Sequence, residues 1–107
     1  MVYLNRVELQ GRVGTVRAQE ISGKNVINLS LATEVVADHD SHKVVETTWH
    51  HVVVWEGEKC KDVTGVQKGD VVYVMGRLRQ SHYTDSSGND KVFTEVLANR
   101  FEIIESI

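Results

Sequence analysis

The run Thr47-Thr48-Trp49-His50-His51-Val52-Val53-Val54-Trp55 constrains this chain more than any other, because valine-rich sequence with a period of two is β-strand sequence. Successive side chains on a strand point to opposite faces. Trp49 and Trp55 therefore share a side with Thr47, His51 and Val53, while Thr48, His50, Val52 and Val54 face the other way. The tryptophan side is too polar for a dry core, so both indoles are expected on display. At about 3.3 Å per residue the rings stand roughly 20 Å apart, room for an unpaired nucleotide chain to lay a base on each with others between. The run reads as a stacking platform.

The same alternation recurs along the chain. From Arg6 to Val13, Val7, Leu9 and Val13 face one way and Arg6, Glu8, Gln10 and Arg12 the other, the pattern of a half-buried first strand. A second runs from Val26 to Val35 with Ile27, Leu29 and Leu31 inward, after turn chemistry at Gly23 and Asn25. The tryptophan run is third. Val71 to Arg79 forms a fourth with Val72, Val74 and Leu78 inward, and Val92 to Ile104 a fifth that is apolar on parts of both faces. Ser86-Ser87-Gly88-Asn89 reads as the hairpin tip between the last two, and the absence of proline lets the strands run long. Glu56 to Lys68 loses the alternation and stops before Gly69, which predicts a short helix or turn. Five strands with a helical insertion between the third and fourth form the layout of an OB fold, a small Greek-key barrel that binds oligonucleotides. The pattern alone also fits an unspecified small barrel or sandwich.

A chain of 107 residues reads as one domain, able to bury about 65% of its extended surface without disulfides. The lone Cys60 has no partner for a bridge or a Cys-x-x-Cys motif, which points to a reducing compartment, the cytoplasm by default. The opening Met-Val-Tyr-Leu-Asn-Arg lacks an apolar stretch with a cleavage site, and no apolar run approaches a membrane span, so neither secretion nor a membrane partner is expected. Twelve Lys and Arg against fifteen Asp and Glu give a net charge of −3, which weighs against a partner held mainly through phosphates. A local basic face matters more than the total. Arg77 and Arg79 share one face of the fourth strand and adjoin Tyr83 and Lys91 across the last hairpin, a basic groove lined by an aromatic ring.

Other chemistries fail on spacing. Asp38-His39-Asp40-Ser41-His42 gathers ligand-type side chains without a zinc spacing, and His50 and His51 point to opposite sides of one strand, where they cannot share an ion. Asp85 to Asp90 starts like a calcium loop but lacks Gly at the sixth position and Glu at the twelfth, and reads as a turn. No glycine-rich phosphate loop, nucleophile elbow or His-Glu-x-x-His helix is present. The expectation is a binder with no cofactor and no metal, not an enzyme.

Several stretches, spaced along nearly the whole chain, resemble the bacterial single-stranded DNA-binding protein (SSB) family. They are Asn5-Arg6-Val7 through Gly11 and Gly14, Leu29-Ser30-Leu31-Ala32-Thr33, Thr48-Trp49-His50 through Trp55, Lys68-Gly69 with Val72-Tyr73-Val74, Gly76-Arg77-Leu78-Arg79, and Tyr83-Thr84-Asp85 with Ser87-Gly88 to Thr94-Glu95-Val96. The resemblance implies an all-β OB fold and sequence-tolerant binding of single-stranded DNA during replication, recombination and repair. It also implies a homotetramer in the bacterial cytoplasm, associated with the nucleoid. Trp49 matches a stacking tryptophan, Trp55 a position that is usually phenylalanine, and Tyr83 one that is usually tryptophan. Arg6, Lys68, Arg79 and Lys91 match basic positions, which with Arg77 are expected to contact phosphates. His50 and Tyr73 fall at family interface positions, and the first strand, with Val7 and Leu9, is expected at an edge that pairs with a second copy.

Ala37 stands where the family commonly places another stacking tryptophan, and His51 where arginine is usual, and both changes are expected to weaken binding. The family normally ends in a Gly/Pro/Gln-rich tail with an acidic tip that recruits replication and repair proteins. The sequence instead stops at Glu105-Ser106-Ile107, which leaves such partners open. Three rival readings are weighed against this one. They are a dimeric primosomal replication protein of similar build, an OB module whose aromatic face binds a polypeptide, and an enzyme with a metal in the histidine-rich loop.

Overall fold

Alternation gives each strand one apolar face, and strands of this kind can close a barrel by curling that face inward. In the computed structural model, which describes residues 2–107, five strands do so: β1 (Val7–Ile21), β2 (Lys24–His39), β3 (His42–Trp55), β4 (Val71–Thr84) and β5 (Asp90–Glu105). They form a closed barrel in the order β1-β2-β3-β5-β4, the all-β, five-stranded architecture expected. Ile27, Leu29 and Leu31 of β2 face inward with Val52 and Val54 of β3 and Val72 and Val74 of β4, all buried. Val7 and Leu9 pack against this core while staying partly exposed.

Every strand pairing is antiparallel except β3 with β5, a short parallel seam at Val52↔Val96 and Val53↔Leu97. β1 serves two neighbours: Val7 to Arg12 pairs with β4, and Arg12 to Ile21 pairs with β2. Its first residues, Val7 to Gln10, are thus paired on one side only among the described residues. Between Val13 and Thr15 the β1–β2 register slips, and Gly14 is the extra residue of a bulge.

The turns follow from local chemistry. Ser22 (φ 52°) with Gly23 (φ 81°) joins β1 to β2, and Asp40 (φ 48°) with Ser41 (φ 67°) joins β2 to β3. Two central residues with positive φ give the turn whose twist matches a two-residue hairpin. Between β4 and β5, Asp85 Oδ1 accepts hydrogen bonds from the backbone N–H of Ser87 and of Asn89, both at 2.9 Å. Where β3 ends, Glu56 takes hydrogen bonds from the Asn25 backbone (2.8 Å) and side chain (3.2 Å), which hold its carboxyl below the usual range.

Three expectations change. The strands outrun their predicted ends, because the β2–β3 and β4–β5 pairs continue as two-stranded ribbons to His39↔His42 and Thr84↔Asp90. Leu78, expected inward, is 46% exposed. The β1–β4 pairing stops at Val7↔Gly76, so beyond Gly76 no β1 residue pairs alongside the apolar face of β4. The predicted short helix is a single 3-10 turn, Val63–Gly65. Glycines at 57, 65 and 69 and the β-branched pair Val63-Thr64 disfavour a longer helix, and one turn suffices to bury Cys60, Val63 and Val66 against the barrel. Among the described residues, no helix is long and apolar enough to cross a membrane, and no cluster of three His, Cys, Asp or Glu is placed to hold a metal ion.

Cys60 is 4% exposed, and burial pushes its thiol above the ordinary cysteine value. At pH 8 the native protein should therefore react with Ellman's reagent far more slowly than the same protein in guanidinium. Equal rates would mean that the β3–β4 connection does not stay packed.

Candidate nucleic-acid interface

The site is built around the bulge in β1. Trp49 is 60% exposed and pairs in register with Ala32, so its indole lies on the outer face of the β2–β3 ribbon. The indole crosses β2 and comes to rest on Gly14. A Cβ at Gly14 would stand 2.5 Å from Trp49 Cζ3 and 2.8 Å from Ser30 Oγ. Glycine is required there for close approach. Ser30 is itself fixed, since the Thr15 backbone N–H donates to its Oγ at 2.8 Å.

The same stretch of β1 positions a lysine. Val13 N–H donates to the Asp70 carbonyl at 2.9 Å, and Gly69 N–H donates to the Val13 carbonyl at 2.8 Å. Arg12 Nη1 donates to the Gly69 carbonyl at 2.7 Å. The buried Asp70 carboxylate accepts from Gln67 N–H at 2.8 Å and from Ile107 N–H at 3.2 Å. So strapped, the 68–70 loop sets Lys68 beside Trp49. Arg12, Lys68, Glu34, Thr47 and Trp49 border a groove of about 740 Å³, with Gly11 and Ala32 among the residues lining it. A smaller hollow of about 480 Å³, lined by Thr15, Ser30 and Lys68, also opens beside Trp49.

An aromatic series continues along the same side of β3. His51 Nε2 is hydrogen-bonded to Asn28 Oδ1 at 3.0 Å, and its ring stacks on Phe93 with centroids 5.5 Å apart and planes at 19°. Phe93 meets Tyr83 edge-on at 5.7 Å. Tyr83 is half exposed and pairs with Lys91, whose Nζ lies 4.0 Å from Asp85. At the end of β3, Trp55 is half-buried beside Val26, and Val53 on the same face is buried between Asn28 and Leu97, so this part of the face is less open than expected.

The basic residues divide. Lys68 adjoins Trp49, Lys91 adjoins Tyr83, and Arg77 is exposed on β4. Arg79 is tied to the interior. Its Nη2 lies 3.7 Å from Glu95, which is 4% exposed and also accepts a hydrogen bond from Ser81. The Arg79 Nε is buried with no hydrogen-bond partner among the described residues. Arg6 precedes β1 and lies close enough to Tyr73 to act on its phenol. Tyr73 donates to Glu8 at 2.5 Å, and this bond, with desolvation and the Glu8 charge, raises its pKa against the opposing pull of Arg100 and Arg6. His50, half-buried on the opposite side of β3 from Trp49, is hydrogen-bonded through Nε2 to Thr33 Oγ1 at 2.8 Å.

Two members of this surface escape the sequence reading. Phe93 joins His51 to Tyr83 only because β5 lies parallel to β3, a pairing between distant segments. Its signal was the two-residue spacing from Lys91, which puts it on the Tyr83 face. Arg12 reads as one of several outward residues of a first strand until the bulge and the 68–70 loop bring it to the groove.

Residues 4–104 match the Single-strand binding protein family. The chain belongs to that family. It is 41% identical over 105 residues to a single-stranded DNA-binding protein of Rickettsia felis, a match covering 92% of this chain and 68% of the relative. A single-stranded DNA-binding protein of Rhizobium meliloti is 38% identical over 104 residues, covering 92% of this chain and 59% of that protein. Among solved structures, the Plasmodium falciparum SSB complex with ssDNA superposes with a TM-score of 0.81 at 27% identity, covering 100% of this chain and 98% of that one. Trp49 is the most exposed aromatic on the outer face of β3.

Gly14→Ala should push the indole off its seat while leaving the barrel folded, because the groups that must move, the indole and the Ser30 hydroxyl, are the ends of side chains. The expected result is a changed near-ultraviolet circular dichroism and tryptophan emission with an unchanged far-ultraviolet spectrum. Identical emission from both proteins would show that the indole does not rest on β1.

Proposed function

We propose that this chain binds and protects single-stranded DNA, without marked sequence preference, along the outer face that runs from Trp49 to Tyr83. One observation carries the reading: an exposed indole seated on a glycine bulge, in a groove that holds Arg12 and Lys68. Stacking on a ring tolerates any base, since every base offers a π face, and phosphates take up the neighbouring cations. Trp49, Tyr83 and the partly open Trp55 are the stacking residues, with Lys68, Arg77 and Lys91 as phosphate contacts. Arg79 supports the Tyr83 ribbon by neutralising Glu95, and Arg6 serves the Tyr73 face. The activity is equilibrium binding with no catalytic step and no cofactor, in the cytoplasm, in the service of replication, recombination and repair.

Titration with oligothymidylate should quench the intrinsic fluorescence. Trp49→Ala should cost about 1 to 3 kcal/mol per protomer. Duplex DNA should bind far more weakly, because paired bases cannot be splayed onto rings. The salt dependence should be shallow, with a slope of about −0.7 per phosphate neutralised. Unchanged affinity in Trp49→Ala, or equal affinity for duplex, would count against the platform.

Assembly belongs to the same proposal. The half of β1 from Val7 to Gln10 that pairs on one side only offers backbone donors and acceptors to a second copy across a twofold axis. His50 and Tyr73 then help two such dimers pack as a tetramer, with DNA outside. His50→Lys places an unpaired charge in a buried contact, so it should split the tetramer while each barrel stays folded. Light scattering on both proteins reads the result: a wild-type monomer removes the assembly, and a wild-type dimer favours the primosomal build.

A further inference from the structure

The face between Trp49 and Tyr83 has its permanent cations around the edge and a titratable group in the middle. Lys68 adjoins Trp49, and Lys91 pairs with Tyr83. Arg17 on β1 pairs in register with Asn28 and Arg77 on β4 with Leu97, and both arginines are exposed. Between these, Arg79 is taken up by the buried Glu95. His51 is then the side chain of this middle stretch, among the described residues, that can still gain a positive charge.

A nucleotide strand that crosses from Trp49 to Tyr83 passes over His51. With Trp49, Ser30 and Thr15 the histidine lines a hollow of about 240 Å³. On its other flank the ring stacks on Phe93, which meets Tyr83. Asn28 Oδ1 is an acceptor and lies 3.0 Å from His51 Nε2, so in the neutral ring Nε2 carries the proton and Nδ1 the lone pair. Nδ1 has no hydrogen-bond partner among the described residues. Arg79 Nε is the buried side-chain atom left unpaired there, so Nδ1 is open to solvent. A second proton therefore adds at Nδ1 and makes a charged donor without breaking the Asn28 bond.

The groups around the ring leave that donor for a ligand. On β2, Ser30 stands opposite His51 in register beside Asn28, and on β3 the same-face neighbours are Trp49 and Val53. Glu95, on the Phe93 side of β5, is already held by Arg79 and Ser81 of β4. Glu34 is two cross-strand pairs away, opposite Thr47. Asp85 is next to Lys91, beyond Tyr83. On β1 the charged neighbour is Arg17, a cation like those of the rim.

We infer that His51 is a phosphate contact of this interface that acts as its imidazolium, through Nδ1–H, so that the chain binds single-stranded DNA more tightly as the pH falls. The inference rests on the single-stranded DNA reading above and adds a residue and a proton to it. A phosphate stabilises the charged ring and not the neutral one, so binding takes up a proton, and affinity rises as the pH drops through the histidine range. An ion pair at a half-exposed position contributes at most about fivefold. One more neutralised phosphate steepens the salt slope by about 0.7.

The test uses oligothymidylate carrying a pH-insensitive label, because neither its base nor its phosphodiesters change charge between about pH 5.5 and pH 8, where histidine does. Fluorescence anisotropy on the full chain at fixed salt compares wild type, His51→Gln and His51→Arg. Glutamine and arginine both keep an N–H donor for Asn28. The gain in affinity from the higher pH to the lower should be about fivefold larger in wild type than in His51→Gln. At the higher pH His51→Arg should bind about fivefold more tightly than His51→Gln, and its affinity should follow pH no more steeply. Between the two pH values the wild-type salt slope should steepen by about 0.7 relative to His51→Gln. His39, His42, His50 and His82 are present in all three proteins, so their titration cancels in the comparison. A pH dependence as large in His51→Gln as in wild type overturns the assignment, as does a His51→Arg protein no tighter than His51→Gln. Failure of wild type to bind oligothymidylate at either pH overturns the reading beneath it.

Discussion

The double duty of β1 is the constraint on which the rest depends. In this closed barrel every strand has two neighbours, and β1 meets its two in succession, handing over from β4 to β2 at Arg12, the residue paired with both Val71 and Ala32. A strand that changes partners must bend, and the bulge at Gly14 supplies the bend. The features that distinguish the outer face follow from it. The bulge removes a side chain where the indole of Trp49 comes down, it leaves Val13 to strap the 68–70 loop, and the handover leaves the first residues of β1 paired on one side only.

The net charge of −3 is compatible with a polyanionic partner because the charges are sorted by place. Several of the acidic residues are spoken for: Glu95 is buried against Arg79 and Ser81, Asp70 caps the 68–70 loop, Glu8 takes the Tyr73 phenol, Glu46 meets His39 and Asp38 meets Lys43 near the ribbon tip. Glu95 also explains why one arginine is poorly suited to phosphate. A carboxylate taken out of water demands a partner, and removing Arg79 would leave it buried and uncompensated, so that arginine is engaged before any nucleotide arrives.

Much of this was legible in the sequence, and for a definite reason. Period-two alternation reports which side of a strand is apolar, so Ile27, Leu29, Leu31, Val72 and Val74 are placed inward from their spacing alone. Trp49 is exposed as its polar neighbours Thr47 and His51 imply. Alternation is silent on where a strand stops being covered. Leu78 continues the inward pattern of β4 past Gly76, where the pairing with β1 stops, and is exposed. It is equally silent on which strands meet. Phe93 and Arg12 reach the aromatic face through a parallel pairing and a loop strap, both contacts between distant segments. The Val63 turn marks a third limit, because loss of alternation signals the end of a strand without saying how few residues a cap requires.

The seam between β3 and β5 has a consequence for how the chain reaches this shape. β2 with β3 and β4 with β5 are joined by tight turns and pair along their whole lengths, so each can zip locally soon after collapse. Val52↔Val96 and Val53↔Leu97, by contrast, join residues far apart in sequence through very few hydrogen bonds, and their loop entropy must be met before any contact repays it. The seam, like the β1–β4 pairing, therefore belongs to the contacts whose closure costs the most loop entropy. The His51–Phe93 contact straddles that seam, and so this part of the aromatic face is assembled only when β3 and β5 meet.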